Sequence, residues 1–445
     1  MDFINKLLDF ILTPMGLIIS VGGLYVVLQA SQKRPVLSWF LVAIFGFAAS
    51  LSKFSNEFIK EPPPLVFPLQ ELREFGRPLS IILLLSLGFI ALSTKNYWRK
   101  KLLPKPIFYL VLVQISIFLK NLLYGELVFA FLSAITFAGL VLMIIYGPSQ
   151  WLQDDHNFDL GVWAIAMVGM IFSVANFYQV LINRYAVTFV HGWFLGTTGN
   201  PQHAAILISA TIPALLFLFF RKETKYPWLK WLWAFLIGLQ ILGLLMTASR
   251  TGVVMAAVAV LIFFRHRASN LLQLALALSV MSVFILPMLG TGDTDSAGIL
   301  DATYSKWDGG GSNTREGVFN SYWRSFVDNP LLGSPFAGDR LQFGESSWLG
   351  VLGSLGLVGS LPMFMFAWSS LQMILRLDYL SKSNPEKYLQ CSVVMSGLLS
   401  LLIGGVSEAY LLGNLTFAII AVLLYLVLGN YLLEVLQRDK RLLEI

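Results

Sequence analysis

The chain has 445 residues, of which 56% are hydrophobic and 13% charged, with a mean hydropathy of +0.72 and a net charge of +6. About a quarter of the residues of an ordinary water-soluble chain are charged, so this composition excludes a soluble globule and describes an integral membrane protein. The basic excess does not describe a nucleic-acid surface either, because Lys and Arg sit in short loops between apolar runs, where they set membrane orientation.

The apolar runs have the length a helix needs to cross a bilayer core and lack the alternation of barrel strands, so the spanning elements are expected to be helices. Thirteen runs lie near 10–29, 35–52, 77–93, 106–122, 126–146, 161–182, 203–220, 228–247, 251–264, 270–289, 346–373, 389–405 and 411–432. Twelve or thirteen spans follow, according to whether the first run crosses, and the side of the N-terminus changes with it. Met1 to Lys6 is not strongly basic and no A-x-A-like site closes the run from Ile11 to Leu28, so no cleaved signal peptide is expected. The single Cys391 lies in an apolar run, which excludes a disulfide within the chain and reads as packing.

Nineteen of the 31 basic residues fall in one set of alternate loops. They include Lys33 and Arg34, the cluster from Lys95 to Lys105, Arg221 to Lys230, Arg265 and Arg267, Arg376 to Lys387, and Arg438 to Arg441. That side is expected to be cytoplasmic, which turns the long polar interval 290–345 outward. The chain then divides into an N-terminal transmembrane bundle (1–289), an extracytoplasmic loop domain (290–345) and C-terminal helices that complete the same bundle (346–445). Two other outward segments are Lys53 to Pro78, with balanced charge and Pro62-Pro63-Pro64, and Asn183 to His203, whose Gly199-Asn200-Pro201 is a turn signal before a span.

Several residues at the outward boundary are candidates for chemistry. Arg250, in Ala248-Ser249-Arg250-Thr251-Gly252, places a guanidinium near hydrocarbon; it either snorkels from a helix end or faces a wet cavity and an anion. Within the loop, Val318, Phe319, Tyr322, Trp323, Phe326 and Val327 recur at helical spacing after Asn313, a fitting N-cap with Glu316 three residues on, and Asn329-Pro330 ends the run. This predicts an amphipathic helix of about four turns, with Arg315 in its first turn beside N–H groups that favour an anion. Arg324 and Arg340 are secondary candidates. Glu345, where the chain re-enters the membrane, is placed either to serve as a partly desolvated general base or to cap the next helix. Asp293-Thr294-Asp295 has a spacing compatible with a divalent metal but lies in a Gly-rich segment, and no metal site is expected from it. His156 and His266 fall on the cytoplasmic side; His191 and His203 fall outward without metal-ligand spacing. Glu408 lies at an outward helix–helix turn.

In order, these motifs resemble the O-antigen ligase and O-antigen polymerase family of bacterial membrane glycan transferases. The resemblance rests on Thr198-Gly199-Asn200-Pro201, Ala248 to Gly252, Arg315 followed by Trp323, Asn329-Pro330-Leu331-Leu332-Gly333, and Glu345-Ser346-Ser347-Trp348-Leu349 with Gly356-Leu357-Val358-Gly359, over roughly residues 195–375. It implies an all-α, GT-C-like polytopic fold in the cytoplasmic membrane. It also implies an undecaprenyl-pyrophosphate-linked glycan as donor, a glycan or lipid acceptor, and no cofactor or metal. Carried over, Arg250 and Arg315 would hold the donor pyrophosphate. Ligases of the family usually have His-Asn where this chain has Glu345-Ser346, which makes Glu345 the expected base and favours polymerisation.

Transfer from a glycosyl pyrophosphate needs a nucleophilic hydroxyl, a base, and positive charge on the departing diphosphate. Direct attack at the anomeric carbon inverts its configuration. The competing classes are a carrier of a small anion and a flippase of the same lipid-linked glycan. Carriers place ionisable residues or broken helices near midplane and show repeated halves, whereas the ionisable residues here cluster at the outward boundary and no repeat is visible.

Overall fold

A computed structural model of the chain describes residues 29, 33–51, 63–74, 76–93, 103–147, 151–189, 192–221, 228–267, 269–270, 275, 314–334, 346–411 and 415–443. Among these residues there is no strand. The α-helices are α1 (Pro35–Ser50), α2 (Leu69–Glu74), α3 (Gly76–Ser93), α4 (Lys105–Leu123), α5 (Leu127–Tyr146), α6 (Asp155–Asn183), α7 (Pro201–Phe220), α8 (Trp228–Met246), α9 (Arg250–Phe263), α10 (Thr314–Asp328), α11 (Ser347–Ser383), α12 (Tyr388–Ser407) and α13 (Phe417–Leu443). Seven of the described helices are long and apolar enough to cross a membrane, and shorter apolar helices stand beside them. The protein is an all-α, multi-pass membrane protein. Apart from residues 29, 270 and 275, the expected spans near 10–29 and 270–289 lie outside the described residues, as does the segment from Asp293 to Asp295.

Helix α7 is the centre of the bundle. It packs against α6, α8, α9, α12 and α13, and 83% of its apolar window is buried, against 39% for α8 at the periphery. Lipid tails are as apolar as leucine, so helices in a bilayer associate through close approach and hydrogen bonds. Both are present here. A Cβ on Gly252 of α9 would lie 2.5 Å from that of Ala205 of α7, and Ser209 Oγ donates to the Gly252 carbonyl at 2.9 Å. Tyr425 of α13 fits into the notch left by Gly397 and donates to the Ala210 carbonyl at 2.9 Å. Gln240 Nε2 donates to Thr211 Oγ1 at 3.1 Å across α8 and α7. Leu85, Leu132, Ile135, Leu361, Phe364 and Trp368 stay exposed, as residues that face lipid do.

The bundle has two chemically different ends. At one, the basic loops converge: Arg221 pairs with Asp159 at 2.7 Å, Lys387 with Asp155, and Arg265 with Asp378 at 2.7 Å. These pairs tie α6 to the end of α7, α6 to the turn before α12, and the end of α9 to α11, so residues from the alternate basic loops share one end of the fold. We call it the basic end.

Helix α11 continues to Ser383, ten residues beyond the expected limit of its span, and is not one continuous helix. Gly356, nine residues after Ser347, has φ 59° and ψ −155°, which releases the backbone groups on either side of it. Every one of those groups buried in a membrane must find a partner in the protein. Asn329 to Ser334, the chain that leaves α10, supplies them. Ser334 N–H donates to the Gly353 carbonyl at 2.9 Å, and Leu357 and Val358 N–H donate to the carbonyls of Pro330 and Leu331 at 2.8 and 3.2 Å. Gly333 also has a positive φ, 70°, and a Cβ there would lie 2.4 Å from the Ser354 carbonyl carbon. The two glycine motifs are thus the two halves of one joint.

Replacing Gly356 by Ala should be costly, because a Cβ there would sit 2.5 Å from the Leu331 carbonyl in a left-handed backbone. The expected loss is on the order of 3 kcal/mol in unfolding from detergent. Gly88→Ala in α3, where a Cβ meets nothing within 4 Å, is expected to be neutral or slightly stabilising.

Candidate functional site

At the end opposite the basic one, three helices begin close together, and each start is built by its own sequence. Asn200 caps α7: its extended backbone and its Oδ1, which accepts from Gln202 N at 2.8 Å, satisfy the first turn, and Pro201 sits where its missing N–H costs nothing. The preceding turn is pinned by Thr197 N, which donates to Asn176 Oδ1 at 2.9 Å, and by Thr198 Oγ1, which donates to the Leu195 carbonyl at 2.7 Å. The Thr-Thr-Gly-Asn-Pro stretch is therefore a capping device, and His203 is exposed on the turn that follows.

Helix α9 opens from a tight turn. Ser249 Oγ accepts from Gly252 N at 3.2 Å as the N-cap, Thr247 Oγ1 donates to the Leu244 carbonyl at 2.6 Å, and buried Ala248 holds a left-handed φ of 50°. A non-glycine residue in that region stores strain that the surroundings must hold, and such strain gathers at functional sites. Arg250 is the first residue of the helix and is exposed. Phe194 N donates to the Met246 carbonyl at 3.0 Å and joins the approaches to α7 and α9. Gly252 touches Ala205 two residues into the helix beyond Arg250 and His203 respectively, so these two residues begin neighbouring, parallel helices at one level.

Helix α11 starts against the end of α12. Buried Ser346 caps it, accepting from Leu349 N at 3.2 Å. Ser347 donates through N and Oγ to the Glu408 carbonyl at 3.2 and 2.7 Å, while its Oγ accepts from Tyr410 N at 3.1 Å. Trp348 Nε1 donates to the Leu402 carbonyl at 3.3 Å. Gly404 and Gly405 admit these neighbours: a Cβ at Gly404 would meet Met255 of α9 and Tyr410 Oη, and one at Gly405 would meet the Trp348 indole nitrogen. Glu408 is buried in this turn. Burial first, and then the Glu408 carboxylate, hold the Tyr410 phenol well above its ordinary pKa. It stays a neutral donor, to the Leu401 carbonyl.

The starts of α7, α9 and α11 thus gather around the end of α12. Helix N-termini carry partial positive charge, so this end combines three capped helix starts and the exposed Arg250 guanidinium with the buried Glu408 carboxylate. The structure brings together Arg250, His203 and Glu408 at this end. Arg315 is the second residue of α10, which packs on the first half of α11, Tyr322 against Gly353. Arg324 stands exposed on α10 beside Trp323, and Trp323 and Val327 are 56% and 58% exposed. The α10 helix of four turns matches the expected one; its cap Asn313, and also His191, Arg340 and Glu345, lie outside the described residues. Among the described residues no cluster of three or more His, Cys, Asp or Glu could hold a metal.

Lys120 of α4 is the residue that sequence reasoning missed. It is 6% exposed, and its ammonium donates to the carbonyls of Leu332 at 2.8 Å, Ser334 at 2.6 Å and Ser354. It therefore closes the joint in α11 at the carbonyl end of the first half-helix, where a cation is favoured. In the sequence it is one lysine near the end of an apolar run. The only signal was Gln114 and Asn121, buried with it on α4, which mark a polar stripe on a spanning helix. Lys120→Met is expected to cost on the order of 3 kcal/mol in unfolding from detergent, as three carbonyls lose a charged donor. Leu119→Ala on the exposed side of the same turn should cost less than about 1 kcal/mol.

No protein-family model matches the chain, and no curated protein is significantly similar to it.

Proposed function

We propose that the chain is a membrane glycosyltransferase of GT-C-like architecture, acting on the extracytoplasmic face of the cytoplasmic membrane. It moves a glycan from an undecaprenyl-pyrophosphate donor to a glycan or lipid acceptor, with polymerisation favoured over ligation. The observation that carries this reading is Arg250 at the start of α9, beside the start of α7. A diphosphate needs that kind of positive charge, and in sequence order the chain's motifs resemble those of the O-antigen ligase and polymerase family. In this reading the polar interval 290–345 is an outward loop, with α10 laid over the site.

In the reaction, the acceptor hydroxyl attacks the anomeric carbon while the bond from that carbon to the pyrophosphate oxygen breaks. The hydroxyl proton passes to Glu345, and the diphosphate leaves against Arg250 and Arg315. Configuration is inverted, and the guanidiniums supply the charge stabilisation that a metal would otherwise give.

One observation favours a second reading. A spanning helix interrupted at Gly356, with a buried lysine at the gap, is an arrangement that carriers use at substrate sites. Under that reading the protein moves a lipid-linked glycan or an anion across the membrane without altering it.

The two are separated with purified protein, a lipid-pyrophosphate-linked repeat as sole substrate, and product length read on a gel. A ladder is expected, reduced on the order of a hundredfold in Arg250→Ala and in Arg315→Ala. Glu345→Ala should lose 10²-fold or more in rate while still binding donor. Single transfer that appears only with a lipid A core acceptor would make the protein a ligase. No new glycosidic bond with either acceptor, together with donor movement across proteoliposomes, would sink the enzyme reading.

A further inference from the structure

The basic end carries a second construction, independent of any reaction at Arg250. A cavity of about 390 Å³ lies where the end of α9 meets the turn between α11 and α12, lined by His266, Arg267, Ser381, Lys382, Pro385 and Tyr388. Its aromatic wall is fixed: the Tyr388 hydroxyl accepts from His266 N at 3.3 Å and donates to the Phe263 carbonyl at 3.4 Å. Two guanidiniums lie over that ring, Arg265 at 5.1 Å and Arg267 at 4.6 Å from its centroid.

The two arginines are not equivalent. Arg265 is committed, with Nε on Asp378 at 2.7 Å and its terminal nitrogens donating to Ser392, Ser381 and the Ile262 carbonyl. Arg267 has no ion pair among the described residues. A guanidinium held by stacking keeps its planar set of N–H donors, a shape that matches phosphate oxygens. Lys382 reaches Asp378 at 3.1 Å, and His266 is 3.8 Å from the same carboxylate. Asp378 therefore faces both Arg265 and Lys382, and with Arg267 the cations beside the cavity outnumber this carboxylate.

We propose that this cavity is a phosphate-binding site, with Arg267 and Lys382 as its charged ligands. Its occupant is the headgroup of an anionic phospholipid. The helices that build the cavity expose Leu261, Leu375 and Tyr379 in the turns leading to it, so a basic cup adjoins apolar walls along which acyl chains lie. A soluble phosphate offers the same chemistry to the cup but makes no use of those walls.

The test is native mass spectrometry of the full chain in zwitterionic detergent, titrated with phosphatidylglycerol or with phosphatidylcholine, beside thermal melts with and without inorganic phosphate. Retention is expected to favour phosphatidylglycerol, to fall about fivefold in Arg267→Gln and in Lys382→Gln, and to fall further in the pair. The double exchange Arg267→Lys with Lys382→Arg keeps both charges and should keep the lipid. Stabilisation by inorganic phosphate that the double Gln variant loses, without any lipid preference, would retain the phosphate site and assign it to a soluble anion. Lipid retention unchanged in the double Gln variant, loss in the charge-keeping exchange, or no response to either probe would overturn the proposal.

Discussion

A helix interrupted inside a membrane releases backbone groups that cannot turn to water, and each one left bare costs several kcal/mol. Helix α11 is interrupted at Gly356, and the rest of this structure follows from how that interruption is closed. Pro330 to Ser334 enters the gap and exchanges hydrogen bonds with both half-helices. Lys120 then gathers the carbonyls of Leu332, Ser334 and Ser354 on one ammonium. Burying the charge is tolerable because three acceptors surround it, and those acceptors are satisfied only because the charge is there.

The joint also fixes what lies above it. Since Pro330 to Ser334 leaves α10 directly, seating it in the gap sets α10 along the first half of α11, with Tyr322 on Gly353. That first half is held at its other end by Ser347 and Trp348 on the end of α12. Through Gly404 the same end of α12 touches α9 at Met255, and α9 touches α7 at Ala205. A short chain of contacts therefore runs from the gap to Arg250. The position of the candidate site depends on packed backbone and small residues, while its positive charge comes from helix ends and Arg250.

Much of this was legible in the sequence, and what was not has a common cause. Run lengths reveal spanning helices because a bilayer imposes one length on all of them. Asn200-Pro201 and the α10 helix were legible because caps and amphipathic spacing act within a few residues. The glycines of Asn329 to Gly333 and of Gly356 to Gly359 stood out as motifs, but not as partners: their bonds join segments about two dozen residues apart, and periodicity carries no information about such pairing. Lys120 was invisible for the same reason on a larger scale, its acceptors lying 212 and 234 positions away. Lys120 stands in the last turn of α4, at the end away from the basic loops, and its acceptors are backbone carbonyls, which are alike in every residue. The end of α11 ran beyond its expected limit because the apolar face continues through Ile374, Leu377 and Leu380 among the charges that had marked a loop.

The most direct measurement is a cryo-EM reconstruction of the chain in a nanodisc with undecaprenyl pyrophosphate added. The expected result is an interrupted α11 with Asn329 to Ser334 seated at Gly356, and diphosphate density at Arg250 beside the starts of α7 and α9. A continuous α11, or diphosphate bound only at the basic end, would contradict the account.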